Sequence, residues 1–382
     1  MKKIILAIDS FKGCLTSEEV EQAAQKGILD VYPDCEVVSV PIADGGEGML
    51  DIMVRATHGK YMEVEVHDPL MRTIVAHYGV TGDGQTAIIE MAQASGLPLL
   101  SMDERHPMET TSYGTGELIA HAISAGYRQL LVGIGGSATN DAGMGMMQAL
   151  GDRFYDRCGK KLSTGCGKLL DYIEYVDLED FNRCVSGVCF ATACDVNNPF
   201  CGEDGAAVVF APQKGANAEE VALLDMGMNH FSQVISTLMG RDLSKEAGTG
   251  AAGGVGGALS AFFHSTLQPG IELMLEKLDF ENKIKDADLL ITGEGKADCQ
   301  TLMGKVPAGI LQCARRQNLP VALMAGAIAD VDVLKSAGFY STYAVTPTEM
   351  PLSEAMKADI AKKNIRATAA MIVKDYASVG RR

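Results

Sequence analysis

The chain has 382 residues, of which 47% are hydrophobic and 21% charged, and its formal net charge is −16. This length favours two domains over one, and the acidic balance argues against a nucleic-acid or membrane-surface partner. No stretch reaches the roughly 18 apolar residues of a membrane span. The ten cysteines form no C-x-x-C pair, so we expect reduced thiols in a cytoplasmic protein and no zinc site.

The N-terminal segment predicts a strand, a helix and a second strand. Residues 4–8 form an apolar run that is shorter than the ~7–15 residues of a secretion signal. Thr16 and Glu19 have capping-box spacing at the start of a helix with Gly27 on its apolar face. Residues 36–40 form the next strand. This order indicates a βαβ unit with parallel strands.

The middle of the chain predicts a mixture of strands and helices. Residues 62–67 and 74–80 alternate apolar and polar side chains, as strands with one solvent-exposed face do. A helix is predicted at 115–125, and further strands are predicted at 87–91, 129–134, 188–193 and 206–210.

The C-terminal third repeats the alternation of strands and helices. The predicted strands are 288–292, 321–325 and 340–346, and the predicted helices are 305–317, 331–337 and 353–377. Such alternation is typical of an open, doubly wound sheet.

We therefore predict an α/β fold with two α/β domains. Residues 1–65 and 280–382 form a discontinuous domain with a parallel, Rossmann- or flavodoxin-like sheet. Residues 66–279 form a mixed α/β insertion domain.

Two glycine patterns bear on nucleotide binding. No Walker A motif occurs, and Gly248-x-Gly250-x-x-Gly253 has dinucleotide-binding spacing without the strand that should precede it. We interpret this second pattern as a flexible or helix-opening turn.

Four loops at predicted strand ends combine glycine with acids and hydroxyls. They are DSFKG (9–13), ADGGEG (43–48), the segment around GIGGSATNDAG (133–143) and TGEGKAD (292–298). Ligands gather at strand ends in open α/β sheets, and glycine lets backbone N–H groups approach a phosphate. Asp195 follows a further apolar strand. Because buried acids need cations or hydrogen-bond donors, these loops favour a phosphate and metal site.

Each of these residues also has a purely structural interpretation. Asp44 and Asn140 are typical turn or capping residues beside glycine. Ser137 and Thr139 could cap a helix beginning near Asp141, and Lys12 could be an exposed surface lysine.

The loops together resemble the bacterial type I glycerate kinases. The resemblance runs from residue 1 to about 350 and is carried in order by ADGGEG (43–48), IEMAQASGL (89–97), TSYGTGEL (111–118), GIGGSATNDAG (133–143), ACDVNNP (193–199), APQKGA (211–216), GAAGGVGGAL (250–259), PGIELML (269–275), ITGEGKADCQT (291–301) and GKVP (304–307). It implies phosphorylation of D-glycerate by ATP and Mg²⁺ in glycerate, glyoxylate and sugar-acid catabolism. It also implies an active site in a cleft between two α/β domains. The product is expected to be 2-phosphoglycerate, with 3-phosphoglycerate as the other outcome. A homo-oligomer is left open.

The chain departs from the family pattern at a few positions. The family usually has Pro at Ile8, Glu at Gly13, and Arg-Ile-Asp where this chain reads Lys296-Ala297-Asp298. Lys keeps the charge of Arg but loses its planar fork. These departures leave the substrate preference open.

Phosphoryl transfer requires positioning, charge neutralisation and a proton acceptor. On the resemblance, Asp195 is the candidate base, and Lys12 and Lys296 neutralise phosphate or carboxylate. Asp44 and Glu47 are candidate Mg²⁺ ligands. The remaining candidate contacts to phosphate or substrate are Ser10, Gly45, Gly46, Gly135, Gly136, Ser137, Thr139, Asn140, Glu294 and Asp298.

Two other functions are compatible with this fold class. A nucleotide-cofactor oxidoreductase would need a glycine fingerprint after the first strand, where residues 9–13 have none. A non-catalytic metabolite sensor is the second, and the many ionisable residues in the loops count against it.

Overall fold

The structure, a computed structural model, describes residues 1–42 and 48–379. The predicted metal ligands Asp44 and Glu47 and the predicted contacts Gly45 and Gly46 lie outside the described residues.

The elements follow in chain order. The N-terminal segment forms β1 (Lys3–Ile8), α1 (Ser17–Leu29) and β2 (Glu36–Ser39). The central segment forms α2 (Met49–Ala56), β3 (Lys60–His67), β4 (Thr73–Val80), β5 (Thr86–Glu90), α3 (Ala92–Ser95), α4 (Tyr113–Ser124), β6 (Gln129–Gly133), α5 (Met144–Ala149), β7 (Arg153–Tyr155), β8 (Tyr175–Asp177), α6 (Glu179–Val185), β9 (Cys189–Ala193), α7 (Ala206–Phe210), α8 (Ala218–Met239), α9 (Val255–Phe262) and β10 (Thr266–Gln268). The C-terminal segment forms α10 (Gly270–Lys277), α11 (Phe280–Lys283), β11 (Leu289–Ala297), α12 (Val306–Arg315), β12 (Val321–Ile328), α13 (Val331–Ser336), β13 (Ser341–Ala344), α14 (Leu352–Ala355) and α15 (Ala358–Val379).

The described residues divide into two compact units. Unit 1 contains residues 1–42 and 271–379, and unit 2 contains residues 48–270. Residues 48–65, which the sequence analysis placed in the discontinuous domain, lie in unit 2. They do so because β3 pairs with β4 along its whole length, from Lys60 opposite Val80 to His67 opposite Thr73. Residues 271–279, which the sequence analysis placed in the insertion, lie in unit 1.

Unit 1 has a five-stranded parallel sheet with the strand order β13-β12-β11-β1-β2. Counted within the unit this is the 2-1-3-4-5 order of flavodoxin-like sheets. The parallel βαβ opening and the α/β fold class are thus confirmed. The strand order reverses between β1 and β11, and this reversal marks the place where such sheets bind ligands.

Helices pack closely on the sheet of unit 1. Ile4, Leu6 and Ile8 of β1 share one buried cluster with apolar residues of α1 and α15. A Cβ on Gly27 would lie 2.0 Å from the carbonyl oxygen of Arg366, so only glycine lets α1 and α15 approach this closely.

The ends of the helices in unit 1 are partly as predicted. The capping box between Thr16 and Glu19 is confirmed at the start of α1. The single final helix predicted over 353–377 is wrong, because α14 ends at Ala355 and α15 begins at Ala358.

Unit 2 has a six-stranded mixed sheet with the order β10-β9-β6-β5-β4-β3. Strands β5, β6, β9 and β10 are parallel, whereas β3 and β4 are antiparallel. Glu90, Gly133, Ala193 and Gln268 lie opposite one another in register. Four parallel strands therefore end together at one edge of the sheet.

The strand predicted over residues 206–210 is wrong, because this segment is the helix α7. Ala206 and Ala207 are fully buried, whereas Val208 and Val209 are about 40% exposed (39% and 42%). Two small alanines let α7 pack in the interior of unit 2, and this packing overrides the strand preference of the valines.

The two longest helices of the described residues are α8 and α15, each of 22 residues. Neither these nor the shorter helices there combine the length and apolar character needed to cross a membrane. All ten cysteines lie in the described ranges and carry free thiols.

Candidate active-site loops

A cavity of about 610 Å³ lies in unit 1 at the carboxyl ends of its parallel strands. It occupies the point where the strand order reverses, which is the expected ligand position in such a sheet. Its polar wall includes Asp9, Ser10, Lys12, Glu294, Lys296 and Lys305. Its apolar wall includes Phe11, Val345, Met350, Leu352, Ala355 and Met356.

The loop after β1 places three of the polar wall residues. The Asp9 N–H donates to the carbonyl oxygen of Gly293 at 2.9 Å, so Asp9 continues the pairing of β1 with β11. The Asp9 carboxylate accepts a hydrogen bond from the Ser10 N–H at 2.6 Å, and Lys12 is exposed. The predicted residues Ser10 and Lys12 therefore line the cavity together.

The two departures near this loop have structural explanations. The Ile8 side chain is fully buried, and its N–H donates to Glu21 Oε1 at 3.1 Å. A proline there would lack this donor. Gly13 has a φ of 74°, in the left-handed region that favours glycine, and a Cβ there would lie 3.4 Å from Met356 Cε. Ile8 thus lies behind the cavity wall, while Gly13 lies beside it.

Strand β11 is longer than predicted, because it pairs with β12 as far as Ala297. Glu294 and Lys296 therefore belong to the strand, and both line the cavity. The Glu294 side chain is 9% exposed. Its Oε1 accepts a hydrogen bond from the Thr301 hydroxyl at 2.6 Å, and its Oε2 lies 3.3 Å from Lys305 Nζ. Both oxygens therefore have protein partners, and Glu294 fixes the position of the Lys305 ammonium.

Lys296 and Asp298 form an ion pair with 3.2 Å between Nζ and Oδ2. The Lys296 ammonium, and then the Gln300 N–H that donates to Oδ1 at 3.0 Å, hold the pKa of Asp298 below its usual value. Lys296 lines the cavity, whereas Asp298 caps the following short turn. The structure thus gives Asp298 a role in orienting Lys296.

In unit 2, Asp195 and Gly135 lie on neighbouring strand ends. Each is two residues beyond the paired residues Ala193 of β9 and Gly133 of β6. Asp195 is exposed, and its Oδ1 accepts a hydrogen bond at 2.9 Å from the N–H of Gly270, the first residue of α10. The carboxylate therefore caps a helix as well as facing solvent.

The segment that follows β6 passes from partly exposed to buried. Gly135 and Gly136 are partly exposed, whereas Ser137 is 6% exposed and both Thr139 and Asn140 are fully buried. The Asn140 amide nitrogen lies 3.1 Å from Met228 Sδ in the interior. The two glycines can reach a ligand through their backbone, while Thr139 and Asn140 lie behind the surface.

Lys214 is a residue that the sequence analysis did not assign to the site. Its Nζ donates to the Ser137 hydroxyl at 2.8 Å and to the carbonyl oxygen of Thr139 at 2.7 Å. Burial lowers the pKa of Lys214 to about 7, although the nearby Asp141 carboxylate acts in the opposite direction. The Lys214 amino group therefore supports the segment after β6 from inside unit 2.

The interpretation of Ser137 and Thr139 as helix caps is wrong. Helix α5 begins at Met144, and the fully buried Asp141 carboxylate accepts hydrogen bonds from the N–H groups of Gly143 and Gly145. Asp141 also accepts from the N–H and hydroxyl of Ser112. Burial nevertheless raises its pKa, against these four hydrogen bonds.

Glu90 and Lys305 are two further residues that the sequence analysis did not assign to the site. Glu90 at the end of β5 is 6% exposed and accepts the Leu50 N–H at 2.9 Å, which fixes the start of α2. Burial is the main cause that raises its pKa. Lys305 lines the cavity and contacts Glu294, as described above. Glu90, Lys214 and Lys305 all lie in motifs that carry the family resemblance, namely IEMAQASGL, APQKGA and GKVP, and those motifs were the available signal.

The Gly248-x-Gly250-x-x-Gly253 pattern opens helix α9 through a short turn, as predicted. Gly253 has a φ of 67°, and a Cβ there would lie 2.2 Å from the carbonyl oxygen of Thr139. This pattern therefore packs against the segment after β6.

Within residues 1–42 and 48–379, no group of three or more His, Cys, Asp or Glu side chains is placed to hold a metal ion. Mg²⁺ needs only one or two protein carboxylates when substrate phosphates supply further oxygens. Asp44 and Glu47 have the hard oxygen donors that Mg²⁺ prefers, so they remain predicted ligands.

Comparison with known proteins gives a consistent result. The family model described as "Glycerate kinase family" matches residues 4–377. A Bacillus subtilis (strain 168) protein named glycerate kinase is 42% identical over 373 residues, which cover 97% of each chain. An Escherichia coli (strain K12) protein named glycerate 2-kinase is 41% identical and covers 97% of this chain and 98% of its own. A crystal structure from Salmonella typhimurium LT2, assigned as glycerate kinase 2, superposes with a TM-score of 0.88 at 41% identity and covers 100% of both chains.

Proposed function

The chain belongs to the glycerate kinase family, and on that premise we propose that it transfers the terminal phosphoryl group of ATP to D-glycerate. The similarity to glycerate kinases over 97% of the chain carries this proposal. Among the described loops that carry the resemblance, residues 133–143, 193–199 and 291–301 lie at the carboxyl ends of parallel strands, where α/β sheets bind ligands, and this placement supports it.

Several of the candidate residues have a chemical role in this reaction. Asp195 accepts the proton of the attacking hydroxyl, because a carboxylate can act as a general base and this one is exposed at a strand end. The backbone N–H groups of Gly135 and Gly136 bind an anionic group of substrate or phosphate. Lys12 and Lys296, joined by Lys305, neutralise phosphate charge in unit 1.

Mg²⁺ completes the proposal through Asp44 and Glu47. When bound, the ion neutralises phosphate charge during transfer. Glu294 is poorly suited to hold the ion, because Thr301 and Lys305 already contact its oxygens.

We propose 2-phosphoglycerate as the product, because the Escherichia coli relative is named glycerate 2-kinase. The alternative product is 3-phosphoglycerate. Phosphorus NMR of the purified product distinguishes the two, because the phosphate is attached to a secondary carbon in one and a primary carbon in the other.

A coupled assay of ADP release, with and without D-glycerate and with and without Mg²⁺, tests the function. We expect ADP release only when both are present. ADP release independent of D-glycerate would exclude it as the acceptor, and a D-glycerate-dependent change in NADH absorbance without ATP would indicate an oxidoreductase. Binding of D-glycerate without turnover would indicate a sensor.

A further inference from the structure

The size and the lining side chains of the unit 1 cavity fit one substrate of the proposed reaction, ATP, better than the other, D-glycerate. We propose that it binds the adenine nucleotide, with the base against the apolar wall and the phosphates toward Lys12, Lys296 and Lys305. D-glycerate then binds at a different place. This inference rests on the proposed function and adds the identity of the ligand at this site.

The size of the cavity supports a nucleotide. Its volume of about 610 Å³ lies within the roughly 300–1,000 Å³ range of sites that enclose drug-sized ligands. D-glycerate has only three carbons and would leave most of this space unfilled. A nucleotide has a base, a sugar and a phosphate chain that can extend from one wall to the other.

The apolar wall favours a flat, weakly polar group. Leu352 and Met356 line the cavity and are 69% and 40% exposed. Every carbon of D-glycerate carries an oxygen, so this molecule gains nothing from contact with such side chains. A purine has two apolar faces, and the methionine thioether makes favourable contacts with aromatic rings. Met350 adds a second thioether to the same wall.

The polar wall favours phosphate. Lys12, Lys296 and Lys305 bring three ammonium groups to the cavity lining, beside the Asp9 carboxylate and with Lys296 paired to Asp298, in a chain whose formal net charge is −16. Glu294 lies among them, but its carboxylate is bonded to Thr301 and Lys305. Lysine binds phosphate oxygens as a mobile point charge. The cavity lining therefore combines cations with apolar side chains, as an adenine nucleotide requires.

Asn364 provides a polar group on the side of the cavity that holds Met350. It lines the cavity, and its Nδ2 lies 3.6 Å from Met350 Sδ. A side-chain amide presents a donor and an acceptor that match the exocyclic amine and a ring nitrogen of adenine. It can therefore orient the base among the apolar side chains.

Met356→Glu tests the proposal by placing a carboxylate in the apolar wall. Calorimetry with ADP on the full chain should show at least a tenfold weaker Kd, and the KM for ATP should rise at least tenfold. The KM for D-glycerate should stay within about twofold of the wild-type value. Met371→Glu is the matched control, because Met371 is 45% exposed on α15 and lies outside the cavity. It should bind ADP as the wild type does.

Other outcomes overturn the proposal. An unchanged Kd for ADP in Met356→Glu, or a rise in the KM for D-glycerate alone, would show that the nucleotide binds elsewhere. If Met356→Glu fails to fold by circular dichroism, Leu352→Asp carries the same test at a more exposed position. The calorimetry also separates this inference from the proposed function. A chain that binds ADP through this cavity but releases none with D-glycerate refutes the acceptor, not the nucleotide site.

Discussion

Lys214 Nζ lies 2.8 Å from Ser137 Oγ and 2.7 Å from the carbonyl oxygen of Thr139, and all three residues are buried. One lysine amino group thus contacts two points of the chain that follows β6. Because Gly135 and Gly136 directly precede these points, the position of their backbone depends on Lys214.

Lys214→Met should reduce both stability and activity. The substitution removes both hydrogen bonds from a buried site, and losses of this kind cost about 1–3 kcal/mol per unsatisfied group. We expect kcat/KM to fall at least tenfold and the free energy of unfolding in urea to decrease. Lys168→Met is the control, because the Lys168 ion pair with Glu109 is exposed and should contribute less than about 1 kcal/mol.

A double-mutant cycle of Lys214→Met with Ser137→Ala measures how much the hydrogen bond between these two side chains contributes to stability. If Ser137 acts through Lys214, the double variant should lose little more stability than Lys214→Met alone, with a coupling energy of about 0.5–3 kcal/mol. Fully additive losses would show that the two side chains act independently.

Asp195→Asn and Asp195→Ala separate catalysis from helix capping. Asparagine keeps an oxygen that can accept the Gly270 N–H, but it cannot accept the hydroxyl proton. We expect Asp195→Asn to lose at least about 100-fold in kcat, the usual size of a general-base contribution, at nearly wild-type stability. Asp195→Ala should in addition lose about 1 kcal/mol of stability with the cap. A wild-type rate for Asp195→Asn would refute the assignment as base.

The stability of the protein should depend on the ionisation of Asp152. This carboxyl is 3% exposed, and neither oxygen has a hydrogen-bond partner among the described residues. Burial, and then the charge of Asp177, raise the pKa of Asp152 to about 8. The folded chain therefore keeps a proton that the unfolded chain loses near pH 4. This contribution to stability is fully present below about pH 4 and is lost as the pH rises to about 8.

Asp152→Asn removes that dependence, because an amide does not ionise. The gain in stability of the variant over the wild type should grow by up to about 1.4 kcal/mol per pH unit between pH 4 and pH 8. Urea unfolding of both proteins at pH 5, 6.5 and 8 measures it. Parallel stability curves would show that the carboxyl stays ionised in the folded chain.

Gly253→Ala should disturb the segment after β6 at the Thr139 carbonyl oxygen, which also accepts a hydrogen bond from Lys214. A Cβ at Gly253 would meet the carbonyl oxygen of Thr139 at 2.2 Å, and the φ of 67° adds strain. Gly240 has the same φ of 67° with nothing within 4 Å of a Cβ. We therefore expect Gly240→Ala to cost only about 1–2 kcal/mol of backbone strain. Gly253→Ala should cost more and also lower kcat/KM. Equal effects of the two variants on kcat/KM would show that the packing of Gly253 against Thr139 does not affect the site.

Local patterns predicted the parts of the fold that depend on near neighbours. The apolar run of β1 and the capping box of Thr16 and Glu19 are each complete within a few residues, and both are confirmed. Helix α7 was missed because its alanines matter only through packing that the local sequence does not contain. β11 was predicted too short because the glycines and charges of residues 293–296 resemble a loop, although they pair with β12.

The site residues show the same limit. The loops were found from their glycines and acids, but Lys214 bonds to Ser137 across 77 positions of the chain. Lys305 likewise contacts Glu294. The short turn that begins at Cys299 separates the two residues in the chain. Neither partnership leaves a local pattern. Only the three-dimensional structure shows which lysines support the candidate loops.

The order of strands in unit 1 has a consequence for synthesis on the ribosome. β1 pairs with β2 on one side and with β11 on the other, and its apolar side chains are fully buried in the finished sheet. At about 5–20 residues per second, roughly 14–56 s pass between the synthesis of Ile8 and that of Leu289. The contiguous unit 2 emerges during this interval. β1 is therefore made well before its partner β11, and its apolar surface stays accessible to chaperones and to other nascent chains during that interval.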